Sequence, residues 1–554
     1  MPALTTYTPE VPAVDVAIIG AGINGLAVAR EAAARGLSVA LFDQDDLAAR
    51  TSAISTRLIH GGLKYLERFE LNLVHESIRE RNILLAKAPH LVHPYPMLIP
   101  FSKAQSRPGW LLACGLMLHD VLSLGKPLPF NRVVFRKRLK RDWPALADAG
   151  LRWGGLFHDA NVPVTERLAV ELAVDAQRHG AIVSTHTRVD SLVRTGGRIT
   201  GLRYRDRVSG EARTVPARVV VNAAGPWVDS VLDLAGPHER RMGPTKGSHL
   251  VVDAFPGAPD TCIFFESPED TRPMFVLPWE GKYMIGTTDL PYDGSIDEVV
   301  IDEDETAYLL NAVNELIPQA GLTPDDVLWS YSGVRPLPYV GELDDPSKVS
   351  RDHEIVVHSG EDSGLVTIIG GKLTTHRALG ELVVRRLERE LGRRPSASPT
   401  RSARLPGAPE GDWDEFRRRF IERSPLPSRT AMRLVTTYGA TAPAIERLAV
   451  DTPALAEVVD ADTGAIAAEA VHAVQEEGAL TLEDVVLRRM AVALNRDVGL
   501  AAAPVVAAVL VRHAGWSEDR ASAELDRYRA AMRRFKPRAL DSEREAGTMR
   551  GSTE

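Results

Sequence analysis

The stretch Asp15-Val-Ala-Ile-Ile-Gly-Ala-Gly-Ile-Asn-Gly25 constrains this chain most, because an acidic residue, Asp43, follows it about 20 residues on. It reads as a buried strand, a tight turn and the start of a helix. Gly20 permits the turn, Gly22 lets backbone approach a pyrophosphate, and Gly25 lets the helix pack close to the sheet. The helix N-terminus offers free N–H groups and a positive dipole end to phosphates, and Asn24 sits within the same turn. Leu37-Ser-Val-Ala-Leu-Phe-Asp43 reads as the second strand, ending in a carboxylate able to accept from ribose hydroxyls. A plain βαβ unit could carry the glycines alone. Strand, glycines, Ala-rich helix, second strand and acidic end together point to a dinucleotide site.

Composition narrows the setting. The 554 residues are 44% hydrophobic and 25% charged, an ordinary globular mixture long enough for several domains. A formal net charge of −8 gives no reason to expect a nucleic-acid partner. The two cysteines, Cys114 and Cys262, form no C-x-x-C, so a Cys-ligated iron–sulfur cluster or zinc site is excluded and no metal is expected. The N-terminal residues show no basic region followed by an apolar core, and no uncharged apolar run reaches the roughly 18–20 residues of a spanning helix. The expectation is a cytoplasmic protein, free or on a membrane surface.

Periodicity gives the organisation. Residues 14–60 form the first βαβ unit, and 70–88 carry a helical pattern. The segment 90–160 reads as irregular and punctuated by proline. Thr165–His179 is an amphipathic helix. Val189–Val193, Ile199–Tyr204 and Val219–Gly225 read as strands, the last ending in a glycine turn. Alternating residues over 245–300 suggest an antiparallel sheet, and Leu365–Ile369 opens into Gly370-Gly371. Residues 393–412, rich in Pro, Ser, Arg and Gly, read as a linker, and 413–540 as a helical domain.

The predicted fold class is α/β (α+β): a Rossmann-like binding domain, an inserted antiparallel-sheet domain and a C-terminal all-α domain. The binding domain is discontinuous (14–70, 160–245, 330–392), the substrate or cap domain takes 71–159 and 246–329, and the helical domain follows the linker. Nicotinamide dehydrogenases usually have a contiguous binding domain. Scattered elements favour FAD, an extended cofactor met by several segments.

The block Arg50-Thr-Ser-Ala-Ile-Ser-Thr-Arg-Leu-Ile-His-Gly-Gly-Leu-Lys-Tyr-Leu-Glu67 is dense in hydroxyls, glycines and basic residues. Hydroxyls of Thr51, Ser52 and Ser55 could donate to a pyrophosphate, and Gly61-Gly62 would let backbone approach a flat ring. This block resembles the signature of the FAD-dependent glycerol-3-phosphate dehydrogenases of the aerobic, quinone-linked type. Asn222-Ala-Ala-Gly-Pro-Trp227, Lys246-Gly-Ser-His249, Ile285-Gly-Thr-Thr-Asp289, Tyr331-Ser-Gly-Val-Arg-Pro-Leu337 and Gly370-Gly-Lys-Leu-Thr-Thr375 match in the family's order, and Leu434-Val-Thr-Thr-Tyr-Gly-Ala440 matches more loosely.

The resemblance implies oxidation of sn-glycerol 3-phosphate to dihydroxyacetone phosphate, with FAD taking the hydride from C2. It also implies a quinone acceptor and a peripheral place on the inner face of the cell membrane; a homodimer is expected. Arg335 is the leading phosphate ligand, its fork suited to a bidentate contact, with Arg351 as a second. Lys64 and Tyr65 stand where the family has Arg-Tyr as further phosphate ligands; lysine keeps the charge but loses the fork. His249 is the candidate general base, expected to have a pKa near working pH, with a buried structural histidine as the alternative reading. His60 fits better against the cofactor. Lys372, after a strand and two glycines, would stabilise charge at the pyrimidine end of the ring, as an oxyanion hole does. Gly371, Leu373 and Thr374 would meet the ring edge, Gly225 and Pro226 would border the cofactor, and the backbone of Val189 would meet the adenine.

For reoxidation, the apolar Trp110–Leu118 followed by Arg136-Lys-Arg-Leu-Lys-Arg141 can be an anionic-lipid contact, or a buried helix and a solvated loop. The competing functions are an oxidase using dioxygen on the same substrate, an FAD amino-acid oxidase, and a non-catalytic FAD-binding partner.

Overall fold

The apolar run Val14–Ile19 is a strand buried almost throughout. It pairs in parallel with Val39–Phe42 on one side and Ala212–Asn222 on the other. Strands enclosed on both faces favour such continuous β-branched runs. The computed structural model describes residues 11–63, 70–101, 108–341 and 353–536. Across the first sheet the strands run Glu354–Val357, Leu365–Ile369, Ala212–Asn222, Val14–Ile19, Val39–Phe42 and Ile182–Ser184. Neighbours in the sheet thus come from distant parts of the chain. Helices Ile23–Ala34, Thr165–Arg178 and His376–Glu390 supply apolar residues to the core on one face, including Leu26, Leu168 and Leu379. The antiparallel strands Thr187–Thr195 and Arg198–Asp206 contribute to the core on the other.

The second sheet centres on Thr245–Val252, antiparallel to both Lys282–Gly286 and Val327–Arg335. Alternation sorts its side chains. Ser248 Oγ bonds Glu305 at 2.9 Å and Lys246 Nζ lies 2.6 Å from the same carboxylate, on the face covered by the helix Glu303–Leu316. Gly247 and His249 point the other way, into the cavity described below. The expected α/β architecture with an antiparallel sheet and C-terminal helices is present.

Segment 90–160 departs from its irregular reading. It contains the strands His93–Pro100 and Trp153–Asn161, paired antiparallel, and the helix Gly109–Leu122 between them. Pro94 and Pro96 are tolerated because parallel pairing to Cys262–Glu266 begins only at Met97, leaving the proline half an edge. The basic run also departs from a loop: Arg136–Asp142 is a short helix anchored by buried Leu139.

Residues 393–412 do not hang free as a linker would. Thr400 and Leu405 are buried, and Ser398 and Thr400 donate to Glu31. Leu405 N donates to the Lys87 carbonyl at 3.0 Å and Gly407 N to Glu171 at 3.0 Å. Polar side chains that read as linker composition are here anchors. Beyond them, the helices Ser428–Tyr438, Ala442–Asp451, Ala467–Gln475, Ala502–His513 and Glu518–Met532 share a core with the second sheet, where Trp329 Nε1 donates to the Asn495 carbonyl at 2.9 Å.

Candidate active site

At the first turn the glycine geometry is forced. Gly20 has φ +108°, and a Cβ there would stand 2.6 Å from the Ala223 carbonyl oxygen; a Cβ on Gly25 would stand 1.9 Å from the Gly20 oxygen. Gly22 precedes the helix Ile23–Ala34 as its cap, and Ser52 Oγ accepts from Ile23 N at 2.9 Å, beside that helix start. Asn24 Nδ2 donates to the Gly370 carbonyl at 3.2 Å, tying the first turn to the last. Its Oδ1 is buried without a hydrogen-bond partner among the described residues.

Asp43 accepts from Ala21 N at 2.6 Å and from Asp45 N at 2.9 Å. Loss of solvent pushes its pKa up to about 6, against these two bonds and with Asp45 and Asp46 adding repulsion. A sugar hydroxyl donated to this carboxylate would replace part of the missing hydration. Val189 does not reach the cavity. It lies two residues beyond Thr187, whose N donates to the Asp43 carbonyl at 2.6 Å, so its strand starts beside the acidic end.

One cavity of about 420 Å³ runs between the two sheets. It brings together Gly22, Asn24, Thr51, Ser52, Ser55, His60, Gly62, Gly225, Pro226, His249, Arg335, Gly371, Lys372 and Leu373. Gly61, between the lining residues His60 and Gly62, donates from N to Asp159 at 2.7 Å, and a Cβ there would stand 2.6 Å from Arg81 Nη1. Gly225 and Gly371 have φ of +57° and +101°. Thr374 Oγ1 accepts from His60 N at 3.2 Å, behind the wall. Positive-φ glycines, the helix start with Ser52 beside it and the unpartnered Asn24 oxygen fit an extended dinucleotide such as FAD. One expectation fails here: Thr51 Oγ1 donates to the Val334 carbonyl at 2.7 Å, so this hydroxyl is committed to backbone and not offered to a pyrophosphate.

His249 is 3% exposed and stacks on Tyr331 with ring centroids 4.8 Å apart. Its Nε2 lies 3.0 Å from Thr56 Oγ1, and Nδ1 is buried without a hydrogen-bond partner among the described residues. Burial first, then the nearby Arg335 and Arg57 guanidiniums, push its pKa down to about 3. The expected value near working pH is therefore corrected: the imidazole is neutral throughout the physiological range, and a weak base while the site carries only protein charges.

Arg335 is engaged rather than open. Nη1 donates to Asp289 at 2.8 Å, while Nη2 donates to Thr287 Oγ1 at 3.0 Å and to the Thr288 carbonyl at 2.9 Å. Lys64, Tyr65 and Arg351 lie outside the described residues.

Sequence reasoning missed several participants. Thr56 and Tyr331 flank His249 from distant segments. Arg57 crosses the wall in a left-handed conformation (φ +58°), paired twice with Glu166 at 2.6 and 2.8 Å. Arg272 lines the same cavity, pairs with Asp270 at 3.1 Å and donates to the Asp289 carbonyl. Thr56 and Arg57 lie within the Arg50–Glu67 block and Tyr331 opens Tyr331–Leu337, which is a signal; Arg272 lies in no such motif.

A model of FAD dependent oxidoreductases matches residues 15–377, and one of the C-terminal domain of alpha-glycerophosphate oxidase matches residues 398–521. A glycerol-3-phosphate dehydrogenase of Synechocystis is 40% identical, over 95% of this chain and 97% of its own. A D-erythritol 1-phosphate dehydrogenase of Brucella abortus is 38% identical, over 86% and 93%. The solved glycerol-3-phosphate dehydrogenase of Bacillus halodurans complexed with FAD superposes with a TM-score of 0.77 at 26% identity, over 95% of this chain and 96% of that one.

Proposed function

This chain belongs to the FAD-dependent glycerol-3-phosphate dehydrogenase and oxidase family, and from that premise we propose that it oxidises sn-glycerol 3-phosphate at C2 and passes the electrons to a membrane quinone. The observation that carries the reading is that one cavity joins a dinucleotide turn, a buried histidine and three arginines, Arg57, Arg272 and Arg335. When bound, FAD supplies the hydride acceptor at its N5.

The protein's own residues divide the rest of the work. Arg335 and Arg272 draw the phosphate dianion to one end of the cavity. Asp289 holds Arg335 in place meanwhile and restrains the positive field. The C2 hydroxyl loses its proton to His249 Nε2, directly or through Thr56 Oγ1 at 3.0 Å. Seating the dianion beside Arg335 cancels one of the charges that depress the imidazole, so His249 becomes a stronger base once substrate has arrived. Lys372, on the cavity wall, would hold a fixed positive charge at the ring edge. The phosphate clamp and the expected ring contacts of Gly371, Leu373 and Thr374 rest on this reading.

The acceptor reading draws on the surface. Helix Gly109–Leu122 leaves Trp110, Met117 and Val121 more than 60% exposed, and the exposed Phe130 and Phe135 follow in sequence, just before the exposed Arg136, Lys137 and Lys140. No described helix is long and apolar enough to cross a membrane. An apolar face beside basic residues suits the anionic inner leaflet, where a quinone is found. The second reading, dioxygen as acceptor, is favoured by the match of residues 398–521 to an oxidase domain.

Anaerobic mixing of the flavoprotein with glycerol 3-phosphate should bleach the flavin. Erythritol 1-phosphate serves as the comparison substrate, and reoxidation by a quinone analogue or air separates the acceptors. A flavin that stays yellow with glycerol 3-phosphate would end the proposal.

A further inference from the structure

Three residues after Asp43 the chain carries Asp46, a carboxylate only 1% exposed. Its partners come from the far end of the sequence. Arg489 Nη2 donates to Asp46 Oδ1 at 2.8 Å and Nη1 donates to Oδ2; Arg488 Nε donates to Oδ2 as well. Arg488 also pairs with Asp484 at 2.8 Å, and Asp484 lies 2.9 Å from His186 Nε2. The backbone N of His186 donates to the Asp45 carbonyl at 2.8 Å. The ring of contacts therefore closes on the Asp43–Asp46 loop from both sides.

Three further observations mark it as more than packing. Asp484–Arg489 is a π-helical turn, a costly form of helix that points both arginines at one carboxylate. Ala48 and His186, on either side of the contact, are non-glycine residues at φ +49° and +51°. Buried ion pairs also contribute little net stability over apolar packing, so their use here argues for geometry. Asp46, His186 and Asp484 converge closely enough to hold a cation, but the two guanidiniums already balance the carboxylates.

We infer that the C-terminal helical region is a cofactor-positioning unit, in which Arg488 and Arg489, through Asp46, hold the loop that presents the Asp43 carboxylate to the FAD ribose. The inference rests on the reading of Asp43 as the ribose ligand. Arg488 and Arg489 touch no cofactor atom in this account; they act by fixing the loop.

The test is FAD release from holoenzyme, followed by the rise in free flavin fluorescence after dilution. Arg489→Lys keeps charge and bulk but loses the fork, and Asp46→Asn removes the negative charge and turns one of the two acceptor oxygens into a donor. Each should speed release at least tenfold. Ile445→Ala opens a hole in the same helical region without touching the loop; it should lower Tm and leave release within twofold. Wild-type release in both Arg489→Lys and Asp46→Asn overturns the inference, as does equal acceleration by Ile445→Ala. Asp43→Ala separates the two layers. If it alone speeds release, only the clamp is wrong; if it leaves release unchanged, the ribose reading fails and the inference fails with it.

Discussion

Gly247 lies directly beneath the guanidinium of Arg335: a Cβ at residue 247 would stand 2.3 Å from Nη2. Backbone strain plays no part, because Gly247 sits in regular strand. Gly247→Ala should therefore displace the arginine and leave the sheet intact. A lost charge-assisted contact is worth about 1.5–3 kcal/mol, so KM for glycerol 3-phosphate should rise roughly 10- to 100-fold, as in Arg335→Ala. Steady-state kinetics with Tm as control would check this; an unchanged KM in both variants removes Arg335 from substrate binding.

Lys372 follows two positive-φ glycines on the cavity wall. Lys372→Ala should slow flavin reduction in anaerobic stopped flow by about 10²-fold, the loss typical of one preorganised donor. A reduction rate equal to wild type would refute the charge-stabilising role.

The depressed pKa of His249 has a stability consequence with a definite sign. The unfolded histidine binds a proton near pH 6.5, whereas the folded one waits until about 3. Between those values only the unfolded form is protonated, so stability falls as pH drops through that window, by about 1.4 kcal/mol per pH unit. His93 and His376, both pushed down to about 4 mainly by burial, act in the same direction. Urea melts at pH 7 and pH 5 should show the loss, and His249→Gln should make it shallower. An equal slope in the variant would mean that His249 titrates normally.

His186 runs the opposite way. Burial lowers its pKa, but Asp484 outweighs that and raises it to about 9, with Asp46 helping and Arg488 opposing. Its contribution to stability is full below pH 6.5 and is lost as pH climbs to about 9. Thermal melts between pH 6.5 and 9.5 should show a decline in the wild type that is shallower in His186→Gln. Parallel curves would sink this account.

The exposed helix makes a lipid prediction. Trp110→Ser combined with Met117→Ser should cut co-sedimentation with anionic vesicles by at least tenfold, since each large apolar side chain contributes about 1.5–3 kcal/mol when buried. Vesicles of neutral lipid should bind the wild type more weakly, because each basic residue near an anionic surface is worth about 1 kcal/mol. Retained binding by the double variant would move the docking surface elsewhere.

What the sequence made legible was mostly backbone. Gly20, Gly25 and Gly371 occupy positions where a Cβ collides or φ is positive, and a residue type forced by geometry can be read without the fold. The surroundings of His249 could not be read in this way. Thr56 and Tyr331 reach it through sheet register and a folded-back segment, and register is a property of pairing, not of local pattern. The same limit hid the engagement of Arg335 with Asp289. The helix Gly109–Leu122 was ambiguous for another reason: an apolar helix reads alike whether its covering is protein or lipid. Proline punctuation misled at 94 and 96 because an edge strand accepts what an interior one refuses.

The order of strands in the first sheet bears on how the polypeptide is born. Val14–Ile19 is translated well before the partner on one of its sides, Ala212–Asn222, and Leu365–Ile369 follows later still. Until then a nascent β-branched edge stays unpaired, the kind of surface that chaperones recognise. Premature termination anywhere before Ile369 leaves an incomplete sheet, so fragments of this protein should meet proteases rather than flavin.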